Sequence, residues 1–180
     1  MKTVLSFDIS SSIIGWSKIG FDENKNTTLI SYGHIKPIKS DSIEKRLIDV
    51  EEKIKKICKD NKSDFYAVED YANKFSKGRS TAHTIKILSV FNEIVNLSIY
   101  RSTGCLSHRF PVVTIRSCVG KLIGQKTVSK DDVFDLLKNR FQNFNIVYNR
   151  NNGIATHCYD IVDSFAVGLC FFYKYSNGDI

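Results

Sequence analysis

Apolar positions along this chain alternate in some stretches and recur at helical spacing in others, and the changes of period mark its elements. Val4 to Phe7 is a short apolar run that stops at Asp8. Ile13 to Ile19 and Leu29 to Ile35 are two further β-rich runs, separated by the polar turn Asp22-Glu23-Asn24-Lys25-Asn26. Three such runs in succession predict an antiparallel meander. From Asp41 onward Ile43, Leu47, Val50, Ile54 and Ile57 recur at alternating steps of four and three, which is the apolar stripe of an amphipathic helix. Phe65-Tyr66-Ala67-Val68 predicts a fourth, buried strand closed by Glu69. A polar loop from Asn73 to Ser80 leads into a second helix carrying Ile85, Leu88, Val95 and Ile99. Pro111-Val112-Val113-Thr114-Ile115 predicts a fifth strand, with proline at its first position where a missing donor is tolerated. Ser129 is an N-cap ahead of a third helix with Asp131 and Asp132 in its first turn, and a last helix runs from about His157 to Tyr175.

The order β-β-β-α-β-α-β-α-α implies an α/β architecture, one five-stranded mixed sheet whose first three strands form an antiparallel meander, flanked by helices. At 180 residues without linkers or repeats, the chain reads as a single domain over 1–180. In such sheets, sites collect at strand ends. Charge adds a second constraint: 26 Lys and Arg against 19 Asp and Glu give +7, which favours a polyanionic partner such as nucleic acid. Five cysteines, with no C-x-x-C pair, argue against a disulfide framework and suit a reducing compartment. The N-terminus lacks the apolar run of a signal peptide, and the apolar stretch from Ser164 to Tyr173 is far shorter than the ~20 residues of a membrane span. An intracellular, non-membrane protein is expected.

Four acids occupy positions where a purely structural role is hard to supply. Asp8 and Glu69 each end an apolar strand, and acids are depleted in strands and rarely buried unless paired or on a metal. Asp160 and Asp163 lie three apart, on one face of the last helix, beside the apolar stripe of Ile161, Phe165, Leu169 and Phe172. Like charges held at 4 Å repel by roughly 4 kcal/mol at an effective dielectric of 20, and a divalent cation removes that cost. Hard oxygen ligands suit Mg²⁺ or Mn²⁺, and an all-carboxylate cluster can hold two such ions for phosphodiester hydrolysis. Read alone, the same acids also fit a turn at Asp8, a salt bridge at Glu69 and two acids complementing a helix dipole.

Taken together the motifs resemble a family. Asp8-Ile9-Ser10-Ser11-Ser12-Ile13-Ile14-Gly15-Trp16 resembles the first-strand motif of RuvC-type Holliday-junction resolvases, with an Asp, a Ser three on, a Gly seven on and an aromatic next. Val68-Glu69 is similar to their second acid, and Asp160-Ile161-Val162-Asp163-Ser164-Phe165-Ala166 to the D-x-x-D-A-x-A helix start that carries the third and fourth. The resemblance covers nearly the whole chain. It implies an RNase H-like fold, a homodimer and hydrolysis, with two Mg²⁺ for which Mn²⁺ substitutes, of paired strands in a four-way DNA junction. The catalytic and metal-ligating residues would be Asp8, Glu69, Asp160 and Asp163, with Lys121 and Lys130 contacting DNA near the active centre.

The chain departs from the family pattern in two places. Ser10 stands where bacterial members have Gly, and Ala72 where they often carry a Phe that inserts at the junction centre. Tyr71 and Phe75 are the nearby aromatics, on a loop that also carries Lys74, Lys77 and Arg79, and an aromatic flanked by cations suits stacking on opened bases. Such divergence fits a viral, phage or organellar branch. Rival readings are an RNase H-like nuclease for RNA–DNA hybrids or other branched DNA, and a non-catalytic junction-binding protein. A sugar-kinase or actin-like ATPase would need two such domains, and the chain has room for one.

Overall fold

A computed structural model describes residues 1–71, 82–125, 129–141 and 143–180, with Lys130 described by its backbone alone. Its strands are β1 (Lys2–Ile9), β2 (Ile14–Phe21), β3 (Thr27–Ile35), β4 (Phe65–Asp70) and β5 (His108–Pro111). Its helices are α1 (Ile43–Asp60), α2 (Ala82–Thr103), α3 (Val112–Ile123), α4 (Lys130–Arg140) and α5 (Thr156–Ser176). The strands form one sheet in the order β3-β2-β1-β4-β5. β1, β2 and β3 are antiparallel neighbours, whereas β4 runs parallel to both β1 and β5. The mixed sheet with an antiparallel meander is therefore present as expected.

Strand periodicity sorts side chains onto two covered faces. Leu5, Phe7, Tyr66 and Val68 point to the side packed by Val50 and Ile54 of α1 and by Phe91, Val95 and Ile99 of α2. Val4 and Ala67 point to the opposite side, where Ile115 and Val119 of α3 and Phe165, Leu169 and Phe172 of α5 complete a second core. By the same alternation Asp8 and Glu69 fall on the α3–α5 side of the sheet. The 3.6-residue stripe read for α5 is the face that packs there, and Ile161, Phe165, Leu169 and Phe172 are all buried.

The fifth strand differs from its expected position. β5 ends at Pro111 instead of starting there, and Val112 to Ile115 open a helix, α3, that the sequence pattern did not predict. Their β-branched side chains favour a strand by local propensity. Burial of Ile115, Cys118 and Val119 at i, i+3 and i+4 against α5 outweighs that preference, and the helix runs on through Gly120 until Gly124 caps it in the left-handed conformation at φ 74°. Pro111 serves as N-cap, where the helix asks no hydrogen bond of its nitrogen. The helix expected from Ser129 is α4, and it begins with a full capping box between Ser129 and Asp132.

Candidate active site

Asp8 and Glu69 are brought together by register. The last paired positions of the parallel strands β1 and β4 are Phe7 and Val68, and the two acids follow directly, one strand spacing of ~4.8 Å apart on the same face. Asp8 is only 9% exposed. Asp160 and Asp163 come from α5, and the reason α5 can reach them lies in Gly15. Gly15 pairs with Asp8 across β1 and β2, and a Cβ at that position would overlap the backbone carbonyl of Asp160. The glycine seven residues after the first acid thus lets the acid-bearing turn of α5 rest on the sheet beside Asp8.

Two more features lock that crossing. Ser6, fully buried on the same face as Asp8, donates to the Ser164 carbonyl at 2.8 Å and shares a 2.8 Å bond with the Ser17 hydroxyl. A Cβ on Gly168 would come within 2.8 Å of Ile19 and 2.9 Å of the Ser6 hydroxyl, so this second glycine sets the depth of the next turns of α5.

The outcome is one cavity of about 340 Å³ whose walls include all four sequence-predicted acids, Asp8, Glu69, Asp160 and Asp163. Ser10, Arg116 and Ser129 supply further polar groups to it, and Ile115 and Val119 an apolar wall. The donor set is oxygen-rich and suits a hard divalent cation such as Mg²⁺ or Mn²⁺. The acids surround the cavity without closing on one point: among the described residues no three His, Cys, Asp or Glu side chains are grouped as a ready-made site for a single ion.

Ser10, which replaces the expected glycine, has its own role in the β1–β2 connection. Its hydroxyl accepts from the Ile13 amide at 3.0 Å and donates to the Ile13 carbonyl at 2.6 Å, closing the turn through its side chain. The backbone there does not have positive φ, so no glycine is required. Arg46 of α1 braces this turn by donating to the Ser11 carbonyl while stacking over Phe91, 5.1 Å from the ring centroid.

The basic residues expected beside the acids are divided by the fold. Lys121 lies in the last turn of α3, where its ammonium sits 5.6 Å over the Tyr173 ring and lines a different hollow with Thr114, Ser117 and Lys174. Val112, Ile115, Arg116 and Val119 line the acidic cavity instead, so Arg116 is the α3 cation at the site. Its spacing in that i, i+3, i+4, i+7 set was the available signal, concealed by reading the segment as a strand. Lys130 opens α4 directly after Ser129, which lines the cavity, and its side chain is outside the described residues. Tyr71 is half-buried just beyond β4, while Ala72, Lys74, Phe75, Lys77 and Arg79 lie outside the described residues.

A mixed sheet of this order, with an acid near the end of each of two neighbouring parallel strands and a helix that carries two more laid against them, is that of the RNase H-like class of α/β folds. Within that class the chain has the fold of RuvC. Thermus thermophilus RuvC matches with a TM-score of 0.72 at 12% identity, over 98% of this chain and 96% of that one. The same protein in complex with a Holliday junction substrate gives 0.73 at 10% identity over the same shares. The yeast mitochondrial Holliday junction resolvase matches with a TM-score of 0.65 at 10% identity, over 98% of this chain and 82% of that one. No family model matches the sequence, and no curated protein matches it by sequence.

Proposed function

We propose that this chain is a structure-specific endonuclease that resolves four-way DNA junctions by divalent-metal-dependent hydrolysis of phosphodiesters. The observation that carries this reading is the convergence of Asp8, Glu69, Asp160 and Asp163, from two strands and a helix, on one cavity in a chain of charge +7. Solved structures of the same fold include a Holliday junction resolvase and a complex with junction DNA, which supports the choice of substrate.

The four carboxylates would hold two Mg²⁺ ions, or Mn²⁺ in their place, through hard oxygen ligation. Bound there, such a pair supplies an activated water on one side of a scissile phosphate and stabilisation of the leaving oxygen on the other. The protein's part is positional. Gly15 and the Ser6–Ser164 bond hold the helical acids beside the strand acids, so all four line one cavity before substrate arrives. Arg116 faces the charge that builds on the phosphate, and the apolar wall of Ile115 and Val119 lowers the local dielectric. Lys121 and Lys174, on the other side of α3, sit where they would meet phosphates of an arm away from the cut. Lys74, Phe75, Lys77 and Arg79, with Tyr71, are the proposed contacts to the branch point. Among the described residues one cavity gathers the four acids, so cutting two strands of a junction calls for two copies, a homodimer.

The direct test is substitution of the acids. Asp8→Asn, Glu69→Gln, Asp160→Asn and Asp163→Asn should each lower junction cleavage in Mg²⁺ by at least about a hundredfold while junction affinity in a gel-shift assay stays near wild type. Wild-type turnover in any of these variants removes that residue from the site, and wild-type turnover in all four removes the proposal.

A further inference from the structure

A chain of buried amides leads from β5 through α2 to the backbone of Glu69. Asn92 and Asn96 are 2% and 7% exposed in the middle of α2, facing the sheet, where an unbonded amide would carry a large desolvation cost. Asn92 Nδ2 donates to the Glu69 carbonyl at 2.7 Å. Asn96 Nδ2 donates to Asn92 Oδ1 at 2.8 Å and to the Asn92 carbonyl at 2.8 Å. The Ser107 hydroxyl, one residue ahead of β5, donates to Asn96 Oδ1.

The direction of these bonds is fixed by the backbone carbonyls, which only accept. The Glu69 carbonyl requires the Asn92 amide nitrogen, which turns Asn92 Oδ1 toward Asn96. Asn96 must then present its own nitrogen to Asn92 Oδ1 and the Asn92 carbonyl, and its Oδ1 is left to accept from the Ser107 hydroxyl. The opposite rotamer would set one carbonyl-type oxygen against another. The bond to Glu69 fixes the Glu69–Asp70 peptide plane at the point where β4 passes its last pairing with β1 and enters the cavity wall. α2 is itself tied to β5 by a two-point ion pair from Arg109 to Glu93, at 2.6 and 3.0 Å, so the relay stands on a braced helix.

We propose that Asn92 is a positioning residue for the Glu69 carboxylate as a metal ligand, and that Asn96 and Ser107 hold it in place. The inference rests on the metal-dependent reading of the site above. A partner of this kind, one step removed from the ligand, typically accounts for about 10–100-fold in metal affinity.

The experiment is calorimetric titration of the intact protein with Mn²⁺ alone, alongside thermal melting and junction affinity measured in EDTA. Asn92→Leu removes the donor, and Asn92→Asp keeps the shape but turns an acceptor on the Glu69 carbonyl. Both should weaken Mn²⁺ binding by about tenfold or more, with junction affinity in EDTA unchanged. Ser107→Ala, at the outer end of the relay, should weaken it to a smaller extent and keeps the test open if the buried variants fold poorly. Val95→Ala, a core truncation on the same helix face, should lower the melting temperature and leave Mn²⁺ affinity at the wild-type value. If Val95→Ala weakens Mn²⁺ as much as the asparagine variants, or if the Asn92 and Ser107 variants bind Mn²⁺ like wild type, the positioning role is wrong and the metal site stands. If the wild-type protein takes up no Mn²⁺, the metal reading is overturned and this role with it.

Discussion

Gly15 decides, at the scale of one residue, whether the site exists. Any side chain there meets the Asp160 backbone, so Gly15→Ala should cost about 1–3 kcal/mol in stability through overpacking. It should also lower cleavage by about a hundredfold, because displacement of the α5 acids by an ångström misplaces the reacting groups. Chemical denaturation and single-turnover cleavage on the same variant check both. The glycine was legible in the sequence as part of a motif, but the reason for it was not, since the clash involves a helix 145 positions downstream. Asp8 and Glu69 were legible because an acid that closes an apolar strand is chemically out of place. Ser10 reads as a departure in the motif and is conservative in space, closing the turn by its hydroxyl. Phe75→Ala should reduce junction cleavage and preference for junction over duplex by about tenfold to a hundredfold, the value of stacking on one opened base, with little change in melting temperature. A loss of stability without loss of preference would make Phe75 a packing residue.

Helix α3 is the element that local pattern misjudged, and it redistributes the basic residues. A run of Val112, Val113, Thr114 and Ile115 cannot be told from a strand by propensity, whereas its partners on α5 choose the helix. Once helical, α3 turns Arg116 to the acids and Lys121 away from them. The predicted consequence is a split in kinetics. Arg116→Ala should lower turnover at saturating junction by about tenfold or more with modest change in affinity, whereas Lys121→Ala should weaken binding and reduce its salt dependence at near-normal turnover. The reverse pattern would place Lys121 beside the scissile phosphate. Helix α4 was legible through its cap: Ser129 and Asp132 bond reciprocally, and Ser129→Ala should cost ~1 kcal/mol in stability.

At the largest scale the chain combines a net positive charge with an acidic hollow, and these two features act on different observables. Net charge sets affinity, so binding to junction DNA should fall by about a thousandfold or more between 50 and 200 mM salt. Stability responds to pH through two histidines, His108, which is half-buried, and His34, which is more exposed. Burial lowers the His108 pKa below its ordinary value, in a setting against Phe171 at 5.0 Å, and burial followed by the charge of His157 lowers that of His34. Each binds its proton less readily folded than unfolded, so its contribution is present above the unfolded value of about 6.5 and is lost as pH falls from there through the depressed folded value. Melting temperature should therefore drop between pH 7.5 and pH 5.5, and His108→Phe should flatten part of that slope. The most direct test of the central claim is to incubate the purified protein and Mg²⁺ with a synthetic four-way junction, the matched duplex, a flap and an RNA–DNA hybrid, and to map every cut. Paired nicks in opposing strands at the branch point, absent from the duplex and from Asp8→Asn, are the predicted result; cutting confined to the hybrid, or a bound junction left intact, would contradict it.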